Sequence, residues 1–590
     1  MVCDCSFDWH NFRDLFIHFC GGSAPGRLER INGKEEKMDK KWVILGKKKY
    51  QNPTARDVLE VRGFNKKEIE AFLSSKDPSE IDLTSLGIKS SEIDTFISLV
   101  KSGISENLPI IIHGDYDVDG ICATAILWEH LYKTLGYKKT LPYIPDRFEE
   151  GYGLSENSVN GVLKLREKLD QTSKKGLLII VDAGIGAIKE IDQAKSLGFK
   201  VVVVDHHQKG KELPKADAII WTDKLCSGGI AWFLLSYLKS ENGNLPSGLD
   251  LAALATIADI QPLVGANRSI VKFGLEAINK TSRIGLMELI KVSGLFGKEI
   301  GTYEVGWMLA PRLNASGRLE NALISLRLLC TDNESLAREI AKTLDQINSE
   351  RQKLTIESLT LAKTQVTKDQ KGILIVSHET YHEGIIGLVA GRLSQEFYRP
   401  AIAISRGEKV SRGSARSISE FNIIEALHHF DHLLLGAGGH PMAAGFSIET
   451  EKIEQFITEF VSYGDTLLSE EIAPKITVDL EISLSDVSKD LLNEVENLSP
   501  FGVGNPKPIF LVRGLTLENF KTVGATADHL KMVLKDGKRS INAIGFGLGP
   551  LAEVLNKDCK LDVLLQIAVN DYNGSKTIEP QIKDLKNAIS

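Results

Sequence analysis

Three aspartates at alternate positions, Asp115, Asp117 and Asp119, follow directly on the apolar run 108–112. No other stretch restricts the fold as much. An Ile-rich run of that length bounded by glycine reads as a buried strand, and residues 121–135, with Ala, Ile, Leu and Trp at helical spacing, read as the helix after it. The acids therefore stand at the carboxyl end of a strand, the edge of an open α/β sheet where ligands bind. Gly114 and Gly120 bracket them. Carboxylates this close repel one another and are tolerated only if solvated or neutralised by a cation.

The following residues predict a parallel sheet around that edge. Apolar runs at 108–112, 141–144, 177–181, 201–204 and 218–221 alternate with helical stretches at 121–135, 155–168 and 187–197. Two more helices read from 229–239 and 249–259. Alternation of this kind signals βαβ units with both sheet faces covered. Right-handed crossovers then bring the strand ends to one side. Asp182 follows the third run, Asp205-His206-His207 the fourth, and Asp259 ends the last helix. One such Asp alone would be read as a helix cap. Together, carboxylates and imidazoles without thiolate suit manganese or magnesium better than structural zinc. So many acids suggest two ions, a pair about 4 Å apart that can serve in-line phosphoryl displacement.

These residues resemble the DHH phosphoesterase superfamily, and in local detail its RecJ family of bacterial single-strand-specific exonucleases. The resemblance is carried by His113-Gly114-Asp115-Tyr116-Asp117-Val118-Asp119-Gly120, by Val181-Asp182-Ala183-Gly184 and by Asp205-His206-His207. Pro145-Asp146-Arg147-Phe148-Glu149-Glu150-Gly151-Tyr152-Gly153-Leu154 and Asn314-Ala315-Ser316-Gly317-Arg318 extend it. Ala183 stands where Asn is frequent and Ser316 where Ala is frequent; neither change removes a ligand. The resemblance covers about residues 38–590. It implies Asp117, Asp119, Asp182, His206, His207 and Asp259 as catalytic metal ligands or their close neighbours, with Asp182 bridging two Mn2+ or Mg2+ ions at a lowered pKa. His113 and Asp115 would be further ligands or stand just behind them.

Arg147 and Arg318 are expected on substrate phosphates, because an arginine fork matches phosphate oxygens bidentately. Without the family match, surface salt bridges would be the simpler reading. Tyr152, between two glycines, is expected either to stack on an unpaired base or to pack within its loop. Asn314 joins the substrate-binding set through its motif.

Elsewhere the domain reading is coarser, and a chain of 590 residues has length for three to five domains. Residues 1–37 read as a disordered extension upstream of a natural start at Met38, and their Cys and His match no common zinc spacing. Residues 38–105 read as a helical N-terminal segment, 106–320 as the catalytic domain and 321–367 as connector helices, with a helix opening at Asn333. Residues 368–468 restart the α/β pattern with strands at 372–376 and 401–404 around a helix at 385–397. They resemble the DHH-associated domain, which implies Ser414, Arg416, Gly439 and His440 facing substrate. The stretch 436–445 reads as a glycine-rich loop whose N–H groups cradle a phosphate. His428, His429 and His432 imitate a metal motif, but on the helix expected at 422–435 the adjacent His428 and His429 point about 100° apart. Residues 473–590 suit an OB-fold barrel, with strands at 476–482, 509–512, 530–534, 541–544 and 561–567 and turn signals at Asp536-Gly537 and Asn573-Gly574.

A net charge of -7 does not advertise nucleic-acid binding, yet global charge says little about a local groove. No run reaches the roughly 18 apolar residues of a membrane span, and seven cysteines in this length fit reduced thiols in the cytoplasm. The resemblance implies a metal-dependent 5′→3′ exonuclease that degrades single-stranded DNA to mononucleotides in repair and recombination. Its strand would carry a 5′ phosphate and come from a helicase and a single-strand-binding protein. A phosphodiesterase on short oligonucleotides or cyclic dinucleotides, and a catalytically silent single-strand-binding scaffold, are the competing readings.

Overall fold

The computed structural model describes residues 40–151, 153–238, 247–366, 372–468, 472–572 and 575–588. Residues 1–37, Tyr152 and the turn signal Asn573-Gly574 lie outside the described residues. Strand β1 (Lys41–Ile44) comes first and pairs far along the chain. Strands β2 (Ile110–His113), β3 (Thr140–Tyr143), β4 (Gly176–Val181), β5 (Phe199–Asp205) and β6 (Ala218–Trp221) form a parallel sheet in the order β3-β2-β4-β5-β6. Side chains alternate between its faces. Ile110, Ile112, Ile179 and Val181 enter one core, and Ile111, Leu178 and Ile180 the other. Each such buried side chain contributes roughly 1.5–3 kcal/mol. The chain runs outward from β2 to β3, then returns past β2 to β4. The carboxyl ends of β2 and β4 therefore flank the point where strand order reverses, the favoured ligand crevice of such sheets.

A second sheet contains β7 (Leu374–His378), β8 (Ala401–Ser405), β9 (Val410–Arg416), β10 (Leu434–His440) and β11 (Ala443–Glu449) in the order β10-β11-β9-β8-β7. The expected glycine-rich loop is in fact the hairpin β10–β11, turned at Pro441-Met442. Of its glycines, Gly439 is required by packing. A Cβ on Gly439, at φ +147, would lie 2.4 Å from the Ala443 carbonyl oxygen, and one on Gly413 of β9 would meet the Phe446 ring at 2.1 Å. The helix expected at 422–435 stops at His428 because the chain must turn into β10.

The third body is a barrel. Strand β12 (Lys475–Val478) precedes β13 (Leu480–Glu481), β14 (Phe510–Val523), β15 (His529–Asp536), β16 (Arg539–Gly545) and β17 (Lys560–Gln566). A small hairpin, β18 (Val569–Tyr572) with β19 (Ser575–Ile578), leads into β20 (Gln581–Asn587). The sheet order is β13-β14-β15-β16-β20-β17, and a β14–β17 pairing closes it. The expected strand 476–482 divides in two, and its first half pairs in parallel with β1. Strand β20 escaped the sequence reading.

Two connections fix these bodies together. The helix Glu334–Gln365, 32 residues and roughly 48 Å long, starts on an Asn333 side-chain cap. It buries Ile340 and Leu344 in the catalytic core and Ala362 against the second sheet. The N-terminal segment, expected to be one helical unit, is shared out. Val58, Leu59 and Phe72 join the barrel core, whereas Phe96 and Val100 join the catalytic core. Buried Arg268 of the catalytic domain donates to the carbonyls of Phe72 (3.2 Å), Leu498 (2.9 Å) and Ser499 (2.7 Å), tying all three regions.

Candidate metal centre and substrate cleft

The acidic loop is built by close packing. A Cβ on Gly114 would lie 2.0 Å from Thr124 Oγ1, and one on Gly120 2.5 Å from the Asp115 backbone nitrogen, so only glycine lets the loop fold back on its helix. Asp117 caps the helix Val118–Glu129 by accepting from the N–H groups of Asp119 (2.9 Å) and Gly120 (3.2 Å). Asn314 Oδ1 accepts from Val118 N–H (3.0 Å). Gly317, one turn on, lies so near that a Cβ would meet the Tyr116 carbonyl oxygen at 2.6 Å. The motif expected at substrate thus also holds the acidic loop, through Asn314 Oδ1.

Asp119 is buried at the amino end of the helix Ser227–Leu235, taking the N–H groups of Ser227 (2.8 Å) and Gly228 (2.7 Å), where the helix dipole favours negative charge. Ser227 Oγ also donates to Asp182 Oδ1 at 3.1 Å. Asp182 has φ +61, a conformation few residues adopt, and such strain clusters at functional sites. Asp205 Oδ1 accepts from His206 N–H (2.7 Å) and contacts His207 Nδ1 at 2.7 Å, and its Oδ2 accepts from Ile185 N–H (3.0 Å). His206 Nε2 lies 3.3 Å from Asp182, 3.6 Å from Asp119 and 3.7 Å from Asp259. Gln261 Nε2 donates to Asp259 Oδ2 at 2.7 Å.

Three overlapping groups bring their potential ligand atoms within 4.8 Å of one another: Asp182, His206 and His207; Asp119, His206 and Asp259; and Asp115, Asp117 and Asp182. Asp182 and His206 each belong to two, as residues between two neighbouring ions would. Asp182 is expected below the carboxylate range when two cations flank it; without them, burial, and then the charges of Asp119, Asp117, Asp115 and Asp259, push it well above. Burial and acidic neighbours likewise raise Asp115, Asp117 and Asp259. Divalent cations among these oxygens would cancel that cost, so the donor set fits Mn2+ or Mg2+. Burial opposes charge on His207, but the Asp205 hydrogen bond and then the charges of Asp205, Asp259 and Asp115 outweigh it and lift its pKa to about 9.

His113 stands apart. It is fully buried at the end of β2, both ring nitrogens lack a hydrogen-bond partner among the described residues, burial lowers its pKa to about 4, and it joins none of the three groups. Its ring packs on Tyr143 at 5.5 Å. His428, His429 and His432 also join none among the described residues; His429 stacks on Tyr463 at 4.6 Å. The sequence reading left Ser227, Gly228 and Asp205 out of the site. Gly228-Gly229 ahead of an apolar helix was the available signal for the first two.

Facing the acids is a cationic wall. The Arg147 guanidinium lies 5.1 Å over the Tyr116 ring. Arg318 Nη1 donates to the Gly384 carbonyl (3.1 Å), and Arg416 Nη1 to the Ala415 carbonyl (2.8 Å) and Ser414 Oγ (3.2 Å). Burial, and then the charges of Arg147, Arg351 and Arg416, lower Arg318 to about 10; burial and Arg147 lower Arg416. Among the described residues none of Arg147, Arg318 and Arg416 has a carboxylate partner, so the salt-bridge alternative does not hold. Gly439 and His440 end β10 at the same cleft. The charge of His207 adds to burial in lowering His440.

Models of three families match: the DHH family N-terminal domain at residues 109–256, the DHHA1 domain at 370–463 and the RecJ OB domain at 478–584. The chain is 36% identical over 553 residues to the single-stranded-DNA-specific exonuclease RecJ of Bacillus subtilis (strain 168), covering 90% of this chain and 68% of that protein. It is 30% identical over 532 residues to the protein of the same name from Escherichia coli (strain K12), covering 83% and 89%. Its fold is similar to the crystal structure of RecJ in complex with Mn2+ from Thermus thermophilus, with a TM-score of 0.77, 28% identity and coverage of 93% of this chain and 80% of that one. The corresponding Mg2+ complex gives a TM-score of 0.70 at 26% identity.

Proposed function

Because the chain belongs to the RecJ family of single-stranded-DNA-specific exonucleases, we propose that it is a metal-dependent exonuclease that removes mononucleotides from the 5′ end of single-stranded DNA. One observation carries the reading: buried acids and histidines share a cleft with arginines that have no carboxylate partner among the described residues. Asp115, Asp117, Asp119, Asp182, His206 and Asp259 would hold two Mn2+ or Mg2+ ions, Asp182 from between them. When bound, the ions supply the charge that activates a water and stabilises the attacking and departing oxygens. The helix amino end at Ser227-Gly228 orients Asp119, and Ser227 orients Asp182. Asp205 takes Nδ1 of His207, so any role of that ring toward an ion or phosphate oxygen falls to Nε2. Arg147, Arg318 and Arg416, with Ser414 and His440, hold the strand's phosphates. The barrel supplies the longer track that a single strand needs and a dinucleotide does not.

The enzyme acts in DNA repair and recombination in the cytoplasm on this reading. A helicase and a single-strand-binding protein would then present the strand, since duplex DNA must be opened first. No helix among the described residues is long and apolar enough to cross a membrane. The test is incubation with Mn2+ and end-labelled single-stranded, duplex and dinucleotide substrates. Mononucleotides from single strands with a 5′ phosphate are expected. Cleavage of the dinucleotide alone, or none at all, would overturn the reading.

A further inference from the structure

An exposed aromatic stands beside the cationic wall, within the motif 145–154 but with no role assigned above to its side chain. Phe148 is 45% exposed, unusual for a phenylalanine. It is not a loose side chain. Asp146 Oδ1 accepts from Phe148 N–H (2.9 Å) and Glu149 N–H (3.2 Å), and Glu150 N–H returns to the Asp146 carbonyl at 2.8 Å. Tyr143 then donates its hydroxyl to Glu150 at 2.8 Å, pinning the loop to β3. The ring also meets the opposite domain. His382 lies against it at 5.7 Å with planes at 80°. His382 Nδ1 accepts from Gly384 N–H at 3.0 Å, and the Gly384 carbonyl accepts from Arg318. A Cβ on Gly384 would lie 2.0 Å from the Arg318 carbonyl oxygen. The ring is thus fixed in register with Arg147, its neighbour in sequence, and with Arg318, which reaches Gly384 across the cleft.

We propose that Phe148 is a further substrate-contacting residue, its open face stacking on an unpaired base of the strand whose phosphates lie on the arginines, with His382 bracing the ring. This rests on the single-strand reading above. An exposed, rigidly held aromatic next to phosphate-binding cations is the arrangement by which proteins hold single strands without reading their sequence. A base still paired in a duplex has no free face to offer it.

The experiment compares wild type with Phe148→Ala and Phe148→Trp on single-stranded DNA, intact or with one abasic nucleotide walked through the first three positions from the attacked end. On intact DNA, Phe148→Ala lowers kcat/KM about ten-fold, the size of one base–aromatic stack, and Phe148→Trp retains activity. The Phe148→Ala penalty disappears when the abasic nucleotide occupies the stacked position. Phe296→Ala, which removes a phenylalanine 68% exposed elsewhere on the catalytic domain, changes nothing. Full activity of Phe148→Ala, or a penalty equal at all three abasic positions, overturns the inference while leaving the exonuclease reading in place. A wild type idle on intact single strands removes both.

Discussion

The two walls of the cleft are electrostatic opposites built in different ways. The catalytic wall gathers carboxylates at the ends of parallel strands, where topology alone brings them together. The cationic wall gathers guanidiniums from a loop and a helix of the catalytic domain and from strand β9 of the second sheet, which no single element aligns. Each is self-repelling: burial and like charge raise Asp115, Asp182 and Asp259 and lower Arg318 and Arg416. Each therefore awaits its own counter-charge, divalent ions on one side and a DNA backbone on the other. The difference teaches that metal affinity and strand affinity should be separable by mutation, although the walls share one cleft.

The largest effect expected is from Asp182→Asn, since Asn tolerates the positive φ at this position. Hydrolysis should fall on the order of a thousand-fold or more, with the circular dichroism spectrum and single-strand affinity kept. Loss of strand binding as well would mean that the walls are not separable. Next, Arg318→Ala and Arg416→Ala should each lower kcat/KM by about ten- to a hundred-fold, as loss of a charged hydrogen bond predicts. The salt slope of binding should flatten by about 0.7 per lost phosphate contact, and thermal stabilisation by Mn2+ should be unchanged. Ser227→Ala should cost less, roughly ten-fold in kcat, because Asp119 keeps its two backbone donors. A kcat equal to wild type would remove Ser227 from the site.

How far this was legible differs between the walls for the same physical reason. Asp115, Asp117 and Asp119 lie within five residues, Asp182, His206 and His207 follow apolar strands and Asp259 an apolar helix, so periodicity and strand polarity found them. The arginines were found only through the family resemblance, because nothing local says that residues 147, 318 and 416 converge. Asn314 is expected at substrate through its motif, and its hold on Val118 of the acidic loop was not foreseen. In the fold, β1 could not be anticipated, since its partner β12 lies more than four hundred residues away. Hairpin β10–β11 was hidden by glycines that disfavour strands, of which Gly439 is held to glycine by the close approach of Ala443 and Ala444. Strand β20 was hidden by its many polar residues; Ile582 and Leu585, which pack on the barrel core, are three residues apart and break the alternation of a strand.

A smaller effect concerns pH in chelator. Carboxyls raised in the folded state keep protons that the unfolded chain has released, so stability falls as pH rises from the ordinary carboxylate range near 3.8 toward the raised values. Melting temperatures in chelator should therefore decline upward through that window, and saturating Mn2+ should flatten the decline. At a hundred times its Kd the metal adds about 2.7 kcal/mol. A pH profile unaffected by Mn2+ would place the ions elsewhere.

The account turns on two ions sharing Asp182, and calorimetric titration of chelated protein with Mn2+ tests that most directly. Two ions per chain are expected for wild type and at most one for Asp182→Asn. A single ion in wild type, or the same stoichiometry in both proteins, would contradict it.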